Sequence, residues 1–143
     1  MVGISEKKIT RRTARARASV KLGKIIIERM QGDELITKKG PVFQTAIIAG
    51  VLGAKKTAEL IPFCHEVGLE DCQLTIKVKG ERAIIESSTT VSGKTGVEME
   101  ALTAVAIAAL TIYDMCKALS HDIIIEEIKL LEKTGGKKDF RRK

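Results

Sequence analysis

Two stretches of this 143-residue chain carry no charge at all: "PVFQTAIIAGVLGA" (Pro41–Ala54) and "ALTAVAIAALTIY" (Ala101–Tyr113). Each is long enough for several turns of helix, and Pro41 suits a first-turn position. A helix on the surface of a small protein shows a polar stripe, whereas one that is apolar all round is buried all round. One domain of this length buries roughly 70% of its extended surface and cannot easily enclose two such helices. The pattern therefore predicts an oligomer in which subunits cover one another's helices. Alanines at 101, 104, 106, 108 and 109 permit close helix contact.

The rest of the chain frames these helices with strands. From Ala14 to Leu22, small apolar residues alternate with Arg15, Arg17, Ser19 and Lys21, the period of a strand with one basic face. "GKIIIERMQGD" reads as a short helix broken near Gly32, and "KGPVFQTAIIAGVLGAKKTAELIP" as a longer one ended by Pro62. "CQLTIKVKGERAIIESSTTV" reads as a hairpin turning at Gly80. A long helix follows from "GKTGVEMEA", and "DIIIEEIKLLEK" supplies the last strand. Strand, helices, hairpin, helix, strand is an α+β order with a mainly antiparallel sheet, of ferredoxin-like type. We expect one domain over residues 1–136 and a basic, disordered tail over 137–143.

Charge narrows the partners. The formal net charge of +7 predicts an anionic ligand, either nucleic acid or a phosphorylated small molecule. Aromatics make up only 3% of the chain, too few for a module that reads single strands by stacking. Cys64, Cys72 and Cys116 form no C-x-x-C pair and are expected to be reduced thiols. The start of the chain lacks the apolar core of a signal peptide, and no apolar run predicts a membrane helix, so cytoplasmic residence is expected.

Several motifs suggest chemistry but have a plainer reading beside it. "SGKTG" (Ser92–Gly96) lacks the glycine that a phosphate-binding P-loop needs at position 88, which is Ser. Cys64 and His65, even with Cys72, do not have the spacing of a zinc site, and Cys64 has no visible activating base. Glu98 and Glu100 in the first turn of the long helix, and Lys55 and Lys117 near helix C-termini, all complement helix dipoles.

Asp114 and Lys117 are harder to dismiss. Separated by three residues, they share a helical face and can pair. Such a pair is costly on a buried helix unless it faces a cavity or partner, and a desolvated lysine held by a carboxylate is a candidate acid or base. Glu100 and Asp114 are roughly 21 Å apart along a helix at about 1.5 Å per residue. They cannot line one small pocket in one protomer. If both serve a site, that site lies between subunits.

"KTGVEMEALTAVAIAALTIYDMCKAL", "AKKTAELIPFCHEV" and "LLEKTGGK" closely resemble the molybdenum cofactor biosynthesis protein C family, the cyclic pyranopterin monophosphate synthases. The likeness runs from "MVGIS" to "TGGK". It implies a ferredoxin-like hexamer, a trimer of dimers with active sites at the dimer interface. It also implies a substrate, 3′,8-cyclo-7,8-dihydroguanosine 5′-triphosphate, rearranged to cyclic pyranopterin monophosphate with loss of pyrophosphate. No redox cofactor, metal, nucleic acid or membrane is implied. By motif, Asp114 and Lys117 become the catalytic pair, with Lys117 as general acid/base. Phe63, Cys64 and His65 become a substrate-binding loop, and Glu98, Met99 and Glu100 a second binding segment. Lys39, Lys55, Lys133 and Arg12 match basic positions suited to a triphosphate. Two positions depart from the family's usual pattern: Glu66 stands where proline is common after the histidine, and Pro41 where aspartate is common at the helix start. A nucleic-acid or nucleotide-binding module without catalysis is the rival reading, which exposed aromatics on the sheet would favour.

Overall fold

The alternation around Ala14–Leu22 becomes the centre of the sheet. A computed structural model describes all 143 residues, with β1 (Thr10–Lys21), α1 (Lys24–Ile27), β2 (Met30–Gln31), β3 (Glu34–Thr37) and β4 (Gly40–Pro41) in the first part of the chain. There follow α2 (Val42–Lys55), α3 (Thr57–Leu60), β5 (Asp71–Lys79), β6 (Arg82–Gly93), α4 (Glu98–Cys116), β7 (Ile124–Thr134) and β8 (Phe140–Arg141). The main sheet runs β5-β6-β1-β7-β8 with every neighbour antiparallel. Its four long strands, β1, β5, β6 and β7, are linked by α2, a hairpin and α4, the split β-α-β arrangement of a ferredoxin-like fold.

The alternating side chains of β1 explain the two faces. Ala14, Ala16, Ala18 and Val20 are fully buried beneath the helices. Their small size lets α4 lie close to the sheet. Ser87 Oγ, on β6, donates to the Ala101 carbonyl at 2.8 Å, and Thr89 Oγ1 can donate to the Ala14 or Val97 carbonyl at 3.2 and 3.3 Å. These bonds hold the start of α4 against the sheet. On the opposite face, Arg15 pairs with Glu86 at 3.2 Å and Glu132 at 3.6 Å, and Arg17 pairs with Glu86. The basic stripe legible in β1 is thus largely neutralised by its neighbouring strands.

α2 and α4 pack closely because α2 presents glycine at the contact. A Cβ on Gly50 would lie 2.5 Å from Leu74 Cδ2 and 2.8 Å from the Ala104 carbonyl oxygen. Even so, neither helix is covered all round. Ten residues of α4 are buried, including Ala101, Ala104, Ala108 and Ala109, but Leu110 is 56% exposed, and Ile48 and Leu52 of α2 are 54% and 52% exposed. By length and a mean hydropathy of 1.5, α4 resembles a membrane span. Its packing against β1, β6 and α2 gives it a core role instead.

Three local readings change. The short helix expected to break near Gly32 stops already at Ile27, and Met30–Gln31 pairs with Glu34–Thr37 in a hairpin whose turn contains Gly32 at φ +61°. Only Gly or a few polar residues adopt that conformation readily, and turn chemistry outweighs the apolar run before it. The longer helix breaks after Lys55 and resumes at Thr57, and Pro41 sits at its N-cap rather than inside the first turn. The tail is exposed, but it is not structureless: Phe140 and Arg141 pair with Lys133 and Glu132 as β8.

Pro41 offers no side-chain cap, and Glu34 of β3 substitutes for one. Glu34 Oε1 accepts from the Phe43 N–H at 2.8 Å and Oε2 from the Gln44 N–H at 3.0 Å. These are the N2 and N3 donors that a capping side chain normally satisfies. Oε1 also accepts from the Leu35 N–H at 2.8 Å. One carboxylate therefore ties the β2–β3–β4 ribbon to the start of α2.

Candidate active site

The predicted site residues gather at opposite ends of α4. At its C-terminal end, Asp114 lies between two ammonium groups: Lys117 Nζ at 3.0 Å from Oδ1 and Lys39 Nζ at 2.7 Å from Oδ2. Lys39 also approaches the Asp114 carbonyl at 3.3 Å. It arrives from the tight turn between β3 and β4, where its N–H donates to Thr37 Oγ1 at 3.3 Å. Lys39 hydrogen-bonds Asp114 and, with Lys117, holds its carboxyl below the usual range, despite some opposing desolvation. Asp114 is consequently anionic and available to fix two lysine heads.

The i, i+3 pairing is as the helix geometry requires, but its burial is not. Asp114 and Lys117 side chains are 53% and 51% exposed in the single chain. α4 ends there, so the pair faces solvent instead of the core. The desolvation expected of a pair on an apolar helix is therefore not found within the chain. Lys39 is also placed differently from the grouping by charge: it joins Asp114, not Arg12 and Lys133.

At the other end of α4, Glu98 and Met99 line an open cleft of ≈ 330 Å³ with Phe63, Cys64 and His65. Phe63 is 76% exposed, an apolar ring presented to solvent at the cleft's edge. Burial pushes Glu98 up, but the hydrogen bond from Lys133 at 2.9 Å, its own backbone and the fields of Lys133 and Arg12 outweigh it, so the carboxyl lies below its ordinary range. Arg12 Nε donates to the Gly93 carbonyl at 3.0 Å, and its Nη2 to the Lys94 carbonyl at 3.3 Å. The arginine is thereby pinned beside the cleft.

Glu100 points elsewhere. It lines a cavity of ≈ 520 Å³ with Lys55, Glu66 and Cys72, among other residues. Only 3% of Glu100 is exposed, and its Oε2 has no hydrogen-bond partner. Burial, reinforced by Glu98, raises its pKa. A buried carboxyl oxygen without a partner is an energetic debt that a ligand donor would remove. Lys55 belongs to this cavity and not to the Arg12–Lys133 group.

The cysteines are unpaired. Burial and the fields of Glu100 and Glu98 raise the Cys64 thiol, the wrong direction for a nucleophile. Burial pushes Cys72 and Cys116 up to about 11, with Asp71 adding to the shift at Cys72. Cys116, between Asp114 and Lys117 in sequence, is wholly buried among apolar side chains.

Glu98 and Asp114 are separated by roughly 24 Å along α4 at about 1.5 Å per residue. The chain therefore presents two separate groups of candidate residues, not one. The first offers a charged Lys–Asp–Lys group, and the second an aromatic- and sulfur-lined cleft flanked by cations. Glu34, whose carboxylate braces the ribbon carrying Lys39, was not legible as part of this arrangement. Its signal, an acid preceding a helix start that lacks its own capping residue, becomes readable only once the ribbon is known.

Comparison with known proteins agrees with the motifs. The model described as the MoaC family matches residues 1–136. The chain is 49% identical over 144 residues to molybdenum cofactor biosynthesis protein 1 of Drosophila melanogaster, covering 99% of this chain and 25% of that protein. It is likewise 49% identical to the molybdenum cofactor biosynthesis bifunctional protein of a Synechocystis strain, covering 97% of this chain and 42% of the relative. For molybdenum cofactor biosynthesis protein 1 of Dictyostelium discoideum the identity is 44%, with 96% and 24% covered. The chain thus spans between about a quarter and two-fifths of the length of these relatives.

Proposed function

The chain belongs to the MoaC family, and from that premise we propose that it takes part in molybdenum cofactor biosynthesis as a cyclic pyranopterin monophosphate synthase. In this reading it is a lyase that converts 3′,8-cyclo-7,8-dihydroguanosine 5′-triphosphate to cyclic pyranopterin monophosphate and pyrophosphate, in the cytoplasm. The observation that carries the reading is Asp114 held between Lys39 and Lys117 at 2.7 and 3.0 Å. A lysine ammonium oriented by the carboxylate can deliver a proton to a neighbouring substrate atom, and the amine left behind can take one up from another, as ring opening and reclosure require. The charge of the two lysines also stabilises negative charge growing as pyrophosphate departs.

In this reading the two groups become one composite site when a second subunit supplies the missing end. The half-exposed Ile48, Leu52 and Leu110 support such an assembly, because burying apolar surface of this kind is favourable. We infer a homohexamer, a trimer of dimers, in which Asp114, Lys117 and Lys39 of one subunit meet the Phe63–His65 loop and the Glu98–Glu100 segment of its partner. Glu100, with its unpartnered Oε2, suits the N–H donors of a guanine-derived ring. Covering by the partner would also remove water from Asp114 and Lys117.

Turnover of the cyclised dihydro-GTP, followed as a product oxidisable to a fluorescent pterin, tests the reading. Lys117→Ala and Asp114→Ala should each lose about 10²- to 10⁴-fold in turnover while keeping the wild-type oligomeric state by light scattering. Near-wild-type turnover in Lys117→Ala would remove it from its acid/base role.

A further inference from the structure

Neither of the usual reasons for glycine accounts for Gly96, two residues before Glu98. It is not among the glycines with positive φ, so its backbone is one that other residues adopt. Nor is its Cα pressed against neighbouring backbone, as Gly50 is against the Ala104 carbonyl and Gly135 against that of Arg11. A Cβ at position 96 would instead meet one carboxyl group: Glu98 Cδ at 2.6 Å, Oε1 at 2.8 Å, and Oε2 closest of all. Every one of the nearest atoms belongs to a side chain of the candidate site.

The backbone around this glycine is held on both sides. β6 ends at Gly93, whose carbonyl accepts from Arg12 Nε at 3.0 Å. Val97 is 1% exposed, and its carbonyl accepts from the Ala101 N–H at 3.2 Å and can accept from Thr89 Oγ1 at 3.3 Å. A collision at position 96 is therefore relieved by the Glu98 side chain, the one flexible group in reach. That carboxylate folds back over Gly96, where it takes a hydrogen bond from Lys133 Nζ at 2.9 Å and another from its own backbone N–H. With 26% of the side chain exposed, it is a seated group and not one that samples open solvent.

We propose that Gly96 is a positioning residue: its missing side chain is the seat in which the Glu98 carboxylate is held beside Lys133 at the wall of the Phe63–His65 cleft. That the cleft binds substrate rests on the function proposed above; the seating of Glu98 does not. A methyl group at position 96 occupies the place of the carboxylate and turns it away from Lys133. Lys133 then loses the partner that orients it, and an anionic substrate meets a carboxylate no longer neutralised by its lysine. The loss falls on substrate binding and not on proton transfer, because Asp114 and Lys117 at the far end of α4 are untouched.

Comparison of the full-length wild type with Gly96→Ala, Glu98→Ala and the double variant tests the seat. Gly96→Ala should melt within about 4 °C of wild type, since a less flexible unfolded chain offsets the loss of one partly exposed ion pair. Its KM for the cyclised nucleotide should rise about tenfold, with kcat within about threefold. The Glu98 carboxyl, followed by carbon-13 NMR and identified by its absence from Glu98→Ala, should titrate nearer the ordinary carboxylate range than in wild type, where burial is outweighed by Lys133 and the carboxyl lies lower. Adding Gly96→Ala to Glu98→Ala should change KM by less than about twofold, because the colliding group is gone. A larger fall in melting temperature, an unmoved Glu98 titration, or losses that multiply in the double variant would each overturn the positioning role. A displaced titration in a chain whose wild type does not turn over the cyclised nucleotide keeps the seat and discards the synthase. Turnover with an unmoved titration does the reverse.

Discussion

Replacing Glu34 by alanine should weaken both the fold and the proposed chemistry, though Glu34 touches neither Asp114 nor Lys117. Its carboxylate accepts from three backbone donors at 2.8, 2.8 and 3.0 Å. Loss of a helix cap costs about 1 kcal/mol, with a range of about 0.5–2. A single hydrogen bond to a charged acceptor contributes about 1.5–3 kcal/mol. Gln44 is exposed, so water replaces part of what is lost there. About 2 kcal/mol is the expected net destabilisation. At about 2–4 °C per kcal/mol for a domain near this size, the melting temperature should fall by about 4–8 °C at equal protein concentration. The double variant Glu34→Ala/Pro41→Asp separates the two roles. Aspartate at 41 can cap Phe43 and Gln44 directly and should restore about 1 kcal/mol. It cannot restore the tether from β3 that holds the Lys39 turn over Asp114, so turnover should stay depressed after stability recovers. A Glu34→Ala chain melting within about 1 °C of wild type would refute the capping role.

Other perturbations read other parts of the molecule. Glu100 has a folded pKa raised by burial and by Glu98, so it favours the ligand-free fold when protonated. That stability is fully present below the ordinary carboxyl range and is lost as pH rises through the raised value. Glu100→Gln should therefore flatten the fall in melting temperature as pH rises above the ordinary carboxyl range, and an unchanged slope in thermal melts would contradict this. Gly50→Ala pushes a methyl against Leu74 and the fixed Ala104 carbonyl. It should lower stability by about 1–3 kcal/mol, measured as a reduced urea midpoint with an unchanged m-value. Size-exclusion chromatography with light scattering should show an oligomer, and a solely monomeric protein would exclude a site completed by a partner.

Much of the architecture was legible because its signals are local and periodic. The small-residue alternation of β1, the Gly80 turn and the uncharged run of α4 each identify an element without reference to the others. What escaped depends on distant residues. Lys39 and Asp114 are 75 positions apart, yet lie within 2.7 Å because the β3–β4 turn folds over the end of α4. Lys39 could be recognised by motif, but not assigned to Asp114. The pairing of Asp114 with Lys117 followed from helical spacing, whereas their exposure depends on where α4 ends relative to the core. Pattern does not specify that. The C-terminal strand was hidden for the opposite reason: a short basic tail looks solvated until β8 pairs with β7 and returns it to the body of the protein.

The division of functional groups between the two ends of α4 has a consequence for mixed assemblies. In a symmetric dimer with two composite sites, a subunit damaged at Lys117 and one damaged at Glu98 make one doubly injured site and one with no injury at all. Random mixing of equal amounts would leave about a quarter of all sites intact. Two inactive variants would then restore turnover when co-assembled if their lesions lie at opposite ends of the helix, and fail to do so if they share an end.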